Sequence, residues 1–262
     1  MKKYNKAVFF DIDGTLIEIG DYGKKMPPES AKHAIEELRA KGCLTMIATG
    51  RANAYIPDIG IDVDGYVSFN GAVAYIDGKF VFEEAFSPEI TAQILDFFQS
   101  RGLDYLAETV NGCYFGGEAD KNFYWIGNNI SPIEDYPFDI TKMRAAKVSA
   151  PYNDEILKEF GQRFGDSVDF IPHRYDCFMD IGPKGVNKGT GVKKILELYG
   201  IDVDHAYAFG DDTNDFEMLS VVGHAVAMTP HAKSLDEVAE YITCPVSEDG
   251  IYRALKHYEL VD

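Results

Sequence analysis

Apolar runs, and the polar residues that stop them, divide this chain into short alternating units. Residues 7–10 are apolar throughout and end on Asp11-Ile12-Asp13-Gly14-Thr15. A continuous apolar run of this length, bounded by a turn, reads as a strand buried on both faces. Pro27-Pro28-Glu29-Ser30 then marks a helix entry, Ala34, Ile35 and Leu38 follow at helical spacing, and Gly42 lies past the last turn. Residues 44–48 read as a second buried strand that ends at Thr49-Gly50-Arg51, and residues 66–69 as a shorter one that ends at Asn70-Gly71. The Asp77-Gly78 pair predicts a hairpin between strands at 73–76 and 80–82.

From residue 87 the pattern changes. It predicts a helix over 88–100, short strands separated by Asn-Gly and Gly-Gly turns in a Tyr- and Phe-rich stretch, a helix over 154–164, and strands near 168–171 and 177–181. This mixture reads as an α+β insert, with Gly182-Pro183-Lys184-Gly185 as the return linker. Beyond it the alternation resumes. Val192, Ile195, Leu196 and Tyr199 form a helical stripe, and an apolar strand over 206–209 ends at Gly210-Asp211-Asp212-Thr213-Asn214-Asp215. Residues 222–228 and 241–243 are further strand candidates, and no internal repeat is visible.

Composition narrows the class. A chain of 262 residues with 46% apolar content can bury a sizeable core, in one large domain or two. Its net charge of -18 disfavours nucleic acid and anionic membrane surfaces as partners. An anionic substrate would have to be held by local positive charge: a metal ion, a buried Lys, or backbone N–H groups. Cys43, Cys113, Cys177 and Cys244 are far apart and form no zinc or redox motif, so they read as buried small hydrophobes. Lys2, Lys3 and Lys6 precede an apolar run that Asp11 breaks too early for a signal peptide, and no stretch has the apolar length of a membrane helix. The expectation is a cytoplasmic protein with reduced thiols.

The chemistry gathers at strand ends. Asp11 and Asp13 repel unless a cation or a shared proton offsets them, so the pair alone suggests a metal site or a proton-sharing dyad. Three expected parallel strands end in Asp11/Asp13, Thr49 and Asp211/Asp215, and Lys188 starts the helix before the last. Adjacent parallel strands would bring these tips into one crevice, and the residue types suit phosphoryl transfer to a carboxylate. Magnesium is the expected cofactor, with Asp11 and Asp211 its natural ligands. Asp11 would attack phosphorus, Asp13 would protonate the leaving oxygen and later deprotonate water, and Thr49 and Lys188 would hold the phosphoryl oxygens.

At these residues the chain resembles the haloacid dehalogenase-like superfamily, whose four motifs appear in order as Asp11-Ile12-Asp13-Gly14-Thr15, Thr49, Lys188 and Gly210-Asp211-Asp212-Thr213-Asn214-Asp215. Ala48-Thr49-Gly50-Arg51, Asn70-Gly71-Ala72, Asn187-Lys188-Gly189 and Glu248-Asp249-Gly250-Ile251 narrow the resemblance to the Cof-type phosphatases, with the subfamily IIB cap. The resemblance implies an α/β fold: a Rossmann-like parallel-sheet core from residues 1–84 and 185–262, and an inserted α+β cap over 85–184 that sets substrate specificity. It also implies that Asp11 is nucleophile and metal ligand, that Asp13 is acid/base and offers its backbone carbonyl to the metal, that Asp211 is a ligand, that Asp215 is a ligand or a support for one, and that Asn214 binds phosphate or orders its loop. The expected substrate-binding set is Thr49, Gly50, Arg51, Asn70, Gly71, Lys188 and Asn214.

Plainer readings stand beside several of these. Thr49 also suits the cap of a helix beginning near Arg51. Asn70-Gly71 also suits an ordinary turn. Asp212 departs from the expected small or amide residue and is compatible with a solvent-facing side chain. His173-Arg174-Tyr175-Asp176 reads as an exposed polar loop, and Trp125 with Phe123, Tyr124 and Tyr114 as core of the insert. The six histidines show no metal-ligand spacing.

The carboxyl at Asp13, where cation-pumping ATPases of the superfamily carry Thr and dehalogenases lack an acid, favours chemistry that needs a proton donor for an alkoxide. The expected activity is magnesium-dependent hydrolysis of small phosphorylated metabolites, sugar phosphates favoured, through an aspartyl-phosphate. The alternatives are a phosphomutase acting on phosphosugars and a receiver-like phospho-accepting switch. Oligomeric state is not legible in the sequence, which is compatible with a monomer.

Overall fold

The computed structural model describes residues 4–20, 26–118, 130–173 and 177–262. In chain order the strands and α-helices are β1 (Ala7–Phe10), α1 (Glu29–Ala40), β2 (Leu44–Ala48), β3 (Gly65–Ser68), β4 (Val73–Ile76), β5 (Lys79–Glu83), α2 (Pro88–Gln99), β6 (Tyr105–Thr109), β7 (Gly112–Gly116) and β8 (Ile130–Pro132). They continue with β9 (Lys147–Pro151), α3 (Asp154–Phe164), β10 (Val168–Pro172), β11 (Phe178–Pro183), α4 (Lys188–Tyr199), β12 (Ala206–Gly210), α5 (Phe216–Ser220), β13 (His224–Ala227), β14 (Tyr241–Ile242) and α6 (Gly250–His257). The chain divides into two units, one of Met1–Gly50, Pro57–Val81 and Asn187–Asp262, the other of Arg51–Ile56 and Phe82–Val186.

The first unit is built on an eight-stranded sheet in the order β14-β13-β12-β1-β2-β3-β4-β5. From β14 to β3 every pairing is parallel, and β3 and β4 close an antiparallel hairpin. Each residue of β1, β2 and β12 is buried, which is why these segments are apolar without interruption rather than alternating. Phe10 and Phe209 stack across the β1–β12 pair with ring centroids 5.0 Å apart. On α1 the buried residues Ala31, Ala34, Ile35 and Leu38 form one stripe. The chain runs outward from β1 to β2 and β3 on one side and through β12 to β13 and β14 on the other. Ligands of open α/β sheets bind at strand carboxyl ends where the order reverses in this way.

The second unit carries a six-stranded sheet in the order β10-β11-β9-β6-β7-β8, antiparallel except for the β7–β8 pair. Alternate strand positions explain its two faces. Ala107, Val148, Ala150, Met179 and Ile181 join Phe97, Phe98, Phe160 and Phe164 of α2 and α3 in one core, where Phe160 and Phe164 lie 4.8 Å apart. The intervening positions carry Glu108, Lys147, Ser149 and Asp180 to the opposite face. There Lys147 Nζ lies 3.1 Å from Glu108 Oε1 and 3.0 Å from Asp180 Oδ1. Ser149 Oγ lies 2.8 Å from both of those oxygens. The Tyr55 hydroxyl donates to Glu108 Oε2 at 2.5 Å, and His173 Nε2 lies 3.2 Å from Asp180 Oδ1.

Several local expectations need correction. No α-helix begins at Arg51; a single 3-10 turn spans Asn53–Tyr55, because Pro57 holds Ile56 in an extended conformation that cannot continue a helix. The third strand stops at Ser68, and Phe69–Gly71 turns away from it. Gly182 and Pro183 are not linker but the end of β11, paired with Asp169 and Val168. Cys43 and Cys113 are buried as expected, whereas Cys177 is exposed and Cys244 half-buried. Tyr114 lies in the second unit's core; Phe123, Tyr124, Trp125, Arg174, Tyr175 and Asp176 fall outside the described residues. No helix among the described residues is long and apolar enough to cross a membrane.

Candidate active site

Asp11 is the residue directly after β1, and its N–H donates to Phe209 O at 3.0 Å, so the sheet ladder continues to Asp11 and fixes its backbone. The chain then turns tightly, with the N–H groups of Leu16 and Ile17 both bonded to Ile12 O at 2.9 Å. Gly14 has φ +89, and a Cβ there would collide with the Asp211 carboxylate. Only glycine meets both demands at once. Thr15 Oγ1 donates to Asp211 Oδ1 at 3.0 Å, tying the first motif to the last.

Lys188 is the first residue of α4. Asn187 caps that helix, its Oδ1 accepting from Thr190 N–H at 2.9 Å while Thr190 Oγ1 accepts from Asn187 N–H at 3.0 Å. The rigid cap aims the Lys188 side chain inward, where it is 1% exposed. Its Nζ lies 2.6 Å from Asp11 Oδ1 and 2.7 Å from Asp215 Oδ1. A buried ammonium at a helix N-terminus opposes the helix dipole and is tolerated here because two carboxylates receive it.

Asp215 is completely buried and engaged through both oxygens: Oδ1 with Lys188, and Oδ2 with the N–H groups of Asp211 and Asp212 at 3.0 and 3.1 Å. It braces the loop that follows β12 and holds Lys188 in place. Asp212, the unexpected acid of this motif, accepts from Thr213 N–H at 2.8 Å and caps the 3-10 turn Thr213–Asp215.

Asp11, Asp211 and Asp215 each bring one carboxylate oxygen within 4.8 Å of the others. Three buried acids face one ammonium, that of Lys188, among the described contacts, so that with all three ionised two negative charges would be in excess. Burial pushes the Asp11 and Asp211 carboxyls well above the ordinary carboxylate range; at Asp11 the attraction of Lys188 opposes this without cancelling it, and at Asp211 repulsion from Asp11 and Asp215 adds to it. Lys188 is held fully protonated by the same acids in spite of its burial. A hard divalent cation fits this donor set of oxygens and offsets the surplus charge.

Thr49 follows β2 and is buried, with its N–H on Val67 O at 2.8 Å. Asn70 N–H donates to Thr49 O at 3.1 Å, and Asn70 Oδ1 accepts from Asn214 Nδ2 at 3.0 Å. Gly71 packs against the backbone of Asn187 and Lys188. The first unit therefore connects Asp11, Asp211, Asp215 and Lys188 in one cluster and Thr49, Asn70 and Asn214 in another, with Asp13 two residues beyond Asp11. Gly50 ends one segment of the first unit, and Arg51 begins a segment of the second, where its Nη1 donates to Tyr55 O at 3.2 Å. Thr15 is the member the sequence reading missed. The signal was a hydroxyl placed two residues after Asp13, inside the motif itself.

A family model described as haloacid dehalogenase-like hydrolase matches residues 8–255. Among relatives, Bacillus subtilis YkrA is 28% identical over 274 residues, covering 98% of this chain and 99% of its own. The 5-amino-6-(5-phospho-D-ribitylamino)uracil phosphatase YitU of the same organism is 26% identical over 271 residues, covering 96% of both chains. Among solved structures, a subclass IIB sugar phosphatase of the haloacid dehalogenase superfamily superposes with a TM-score of 0.83 at 27% identity, over 98% of this chain and 100% of its own. With the motif residues converging at the strand ends and the family match running nearly from end to end, the chain belongs to the haloacid dehalogenase-like hydrolases.

Proposed function

We propose that this protein is a magnesium-dependent phosphatase of small phosphorylated metabolites that works through a phosphoryl group carried on Asp11. The observation that carries the reading is the buried cluster in which Lys188 bridges Asp11 and Asp215 beside Asp211. In it the Asp11 and Asp211 side chains, with the Asp13 backbone carbonyl, would hold the ion, and Asp215 would support them because both its oxygens already accept hydrogen bonds. Magnesium bound there supplies charge neutralisation for a phosphoryl group and helps orient it.

The residues account for both half-reactions. An Asp11 carboxylate oxygen attacks phosphorus, the bond from phosphorus to the ester oxygen breaks, and Asp13 gives its proton to the departing alkoxide. Asp13, now ionised, takes a proton from water as that water attacks phosphorus; the bond to Asp11 breaks, and inorganic phosphate leaves. Lys188 and Thr49 hold the phosphoryl oxygens, and Gly50, Arg51, Asn70, Gly71 and Asn214 complete the binding set in this reading. Residues 85–184, the proposed cap, read the leaving group, and a cap that excludes bulk water suits small substrates. Sugar phosphates are the favoured class, in keeping with the phosphoribityl compound in the name of YitU and the sugar phosphatase among the solved structures. A net charge of -18 supports a small-molecule partner, not nucleic acid or a membrane, and the reading is of a cytoplasmic enzyme.

A panel of phosphorylated metabolites assayed with magnesium tests this, with Asp11→Asn run beside the wild type. Free phosphate released in step with substrate loss is expected, and none from the folded variant. An isomerised phosphosugar without phosphate would indicate a mutase, and an hours-long phosphoenzyme a switch.

A further inference from the structure

The turn Phe69–Gly71 keeps a backbone that a simple connection does not need. Phe69 and Asn70, neither of them glycine, both have φ of 52, and Gly71 follows at 99, so three consecutive residues lie in the left-handed region. Asn and Gly adopt this conformation readily, but a left-handed Phe persists only where the surroundings enforce it, and such residues concentrate at functional sites. Here the surroundings are three separate catalytic segments. Asn70 N–H is bonded to Thr49 O, Asn70 Oδ1 receives Asn214 Nδ2 at 3.0 Å, and Gly71 lies so close to the Asn187 carbonyl that a Cβ would overlap it. Phe69 is 2% exposed, which anchors the turn from below. A side chain at Gly50 would come within 2.8 Å of Asn70 Oδ1, so the carboxamide also lies along the backbone next to Thr49.

We propose that Asn70 is a positioning residue whose carboxamide orients Asn214 while its backbone fixes Thr49, so that one left-handed turn sets two phosphate-binding groups relative to each other. This assigns Asn70 a role through Asn214 and Thr49, not through contact with the leaving group. The inference rests on the proposed placement of Thr49 and Asn214 at the phosphate.

Asn70→Gly tests it cleanly, because glycine adopts φ of 52 without strain and deletes only the carboxamide. The expected result is a fall in kcat/KM of about tenfold, a weaker inhibition by inorganic phosphate of similar size, and an unchanged thermal midpoint. Asn214→Ala is expected to lose about as much, and the double variant no more than either single one, as for two residues that act as a unit. Losses that multiply to about a hundredfold in the double variant would overturn the proposal while leaving Asn214 at the phosphate. Wild-type kinetics in Asn70→Gly would overturn it too. A fully active Asn214→Ala would overturn the phosphate assignment of Asn214 and, with it, the proposed role of Asn70. Should glycine lower the midpoint, Asn70→Ser, which keeps a side chain but cannot reach Asn214 in the same way, gives a second cycle with the same criteria.

Discussion

Each unit buries a lysine between two carboxylates, and the two arrangements differ in how nearly their charges balance. In the second unit Lys147 sits between Glu108 and Asp180, with Ser149, Tyr55 and His173 supplying further contacts to the same acids. Although burial works against it, Lys147 and His173 hold Asp180 well below the ordinary carboxylate range, while burial raises the Glu108 carboxyl. In the first unit Lys188 sits between Asp11 and Asp215, but a third acid, Asp211, is added, and the Asp11 and Asp211 carboxyls are driven upward by burial and by neighbouring acids, Asp215 among them in both cases. The second cluster is close to self-sufficient and reads as scaffold. The first is over-supplied with negative charge, which a divalent cation would offset.

Four measurements sharpen or break that contrast. Lys188→Met should lower phosphate release by at least about 10²–10³-fold, since it removes a buried donor to the transferred group and leaves three acids facing each other; near-normal turnover would undo the assignment. Lys147→Ala should destabilise by about 3–5 kcal/mol in denaturant unfolding, because two buried carboxylates lose their cation, whereas Lys147→Met should cost less. Magnesium at about 100 times its dissociation constant should stabilise the wild type by about 2.7 kcal/mol, a gain that Asp211→Asn removes and a chelator reverses. Were Lys147→Met to abolish that gain instead, the ion would belong to the second unit. The smallest effect is expected for Tyr55→Phe, about 1–3 kcal/mol, from one lost hydrogen bond to the buried Glu108.

The two clusters were unequally legible. Asp11, Thr49 and Asp211 each follow an apolar strand directly, so the sequence marks them twice, by chemistry and by position at a strand end. Parallel pairing of β1 with β2 and β12 then makes neighbours of them. Glu108, Lys147 and Asp180 lie inside strands of an antiparallel sheet, the last two 33 positions apart, and no motif links them. Their mark was fainter: a charge in an otherwise apolar strand, which says that a partner exists but not which one. Thr15 and Asp212 were visible as residue types, yet their bonds to Asp211 and to Thr213 N–H depend on how a loop folds back. The left-handed backbone at Phe69 was out of reach, because propensity assigns that conformation to an Asn-Gly pair such as Asn70-Gly71 and stops there.

The flanks of the smaller sheet carry a consequence of their own. Its outer strands, β8 and β10, end in Pro132 and Pro172, and β14 at one border of the larger sheet is two residues long. Proline has no N–H to offer, and a strand of two residues presents too short a row of hydrogen-bonding groups to template another chain. These borders resist edge-to-edge sheet growth, a safeguard against fibril formation in a protein whose interior is so rich in strand-forming residues.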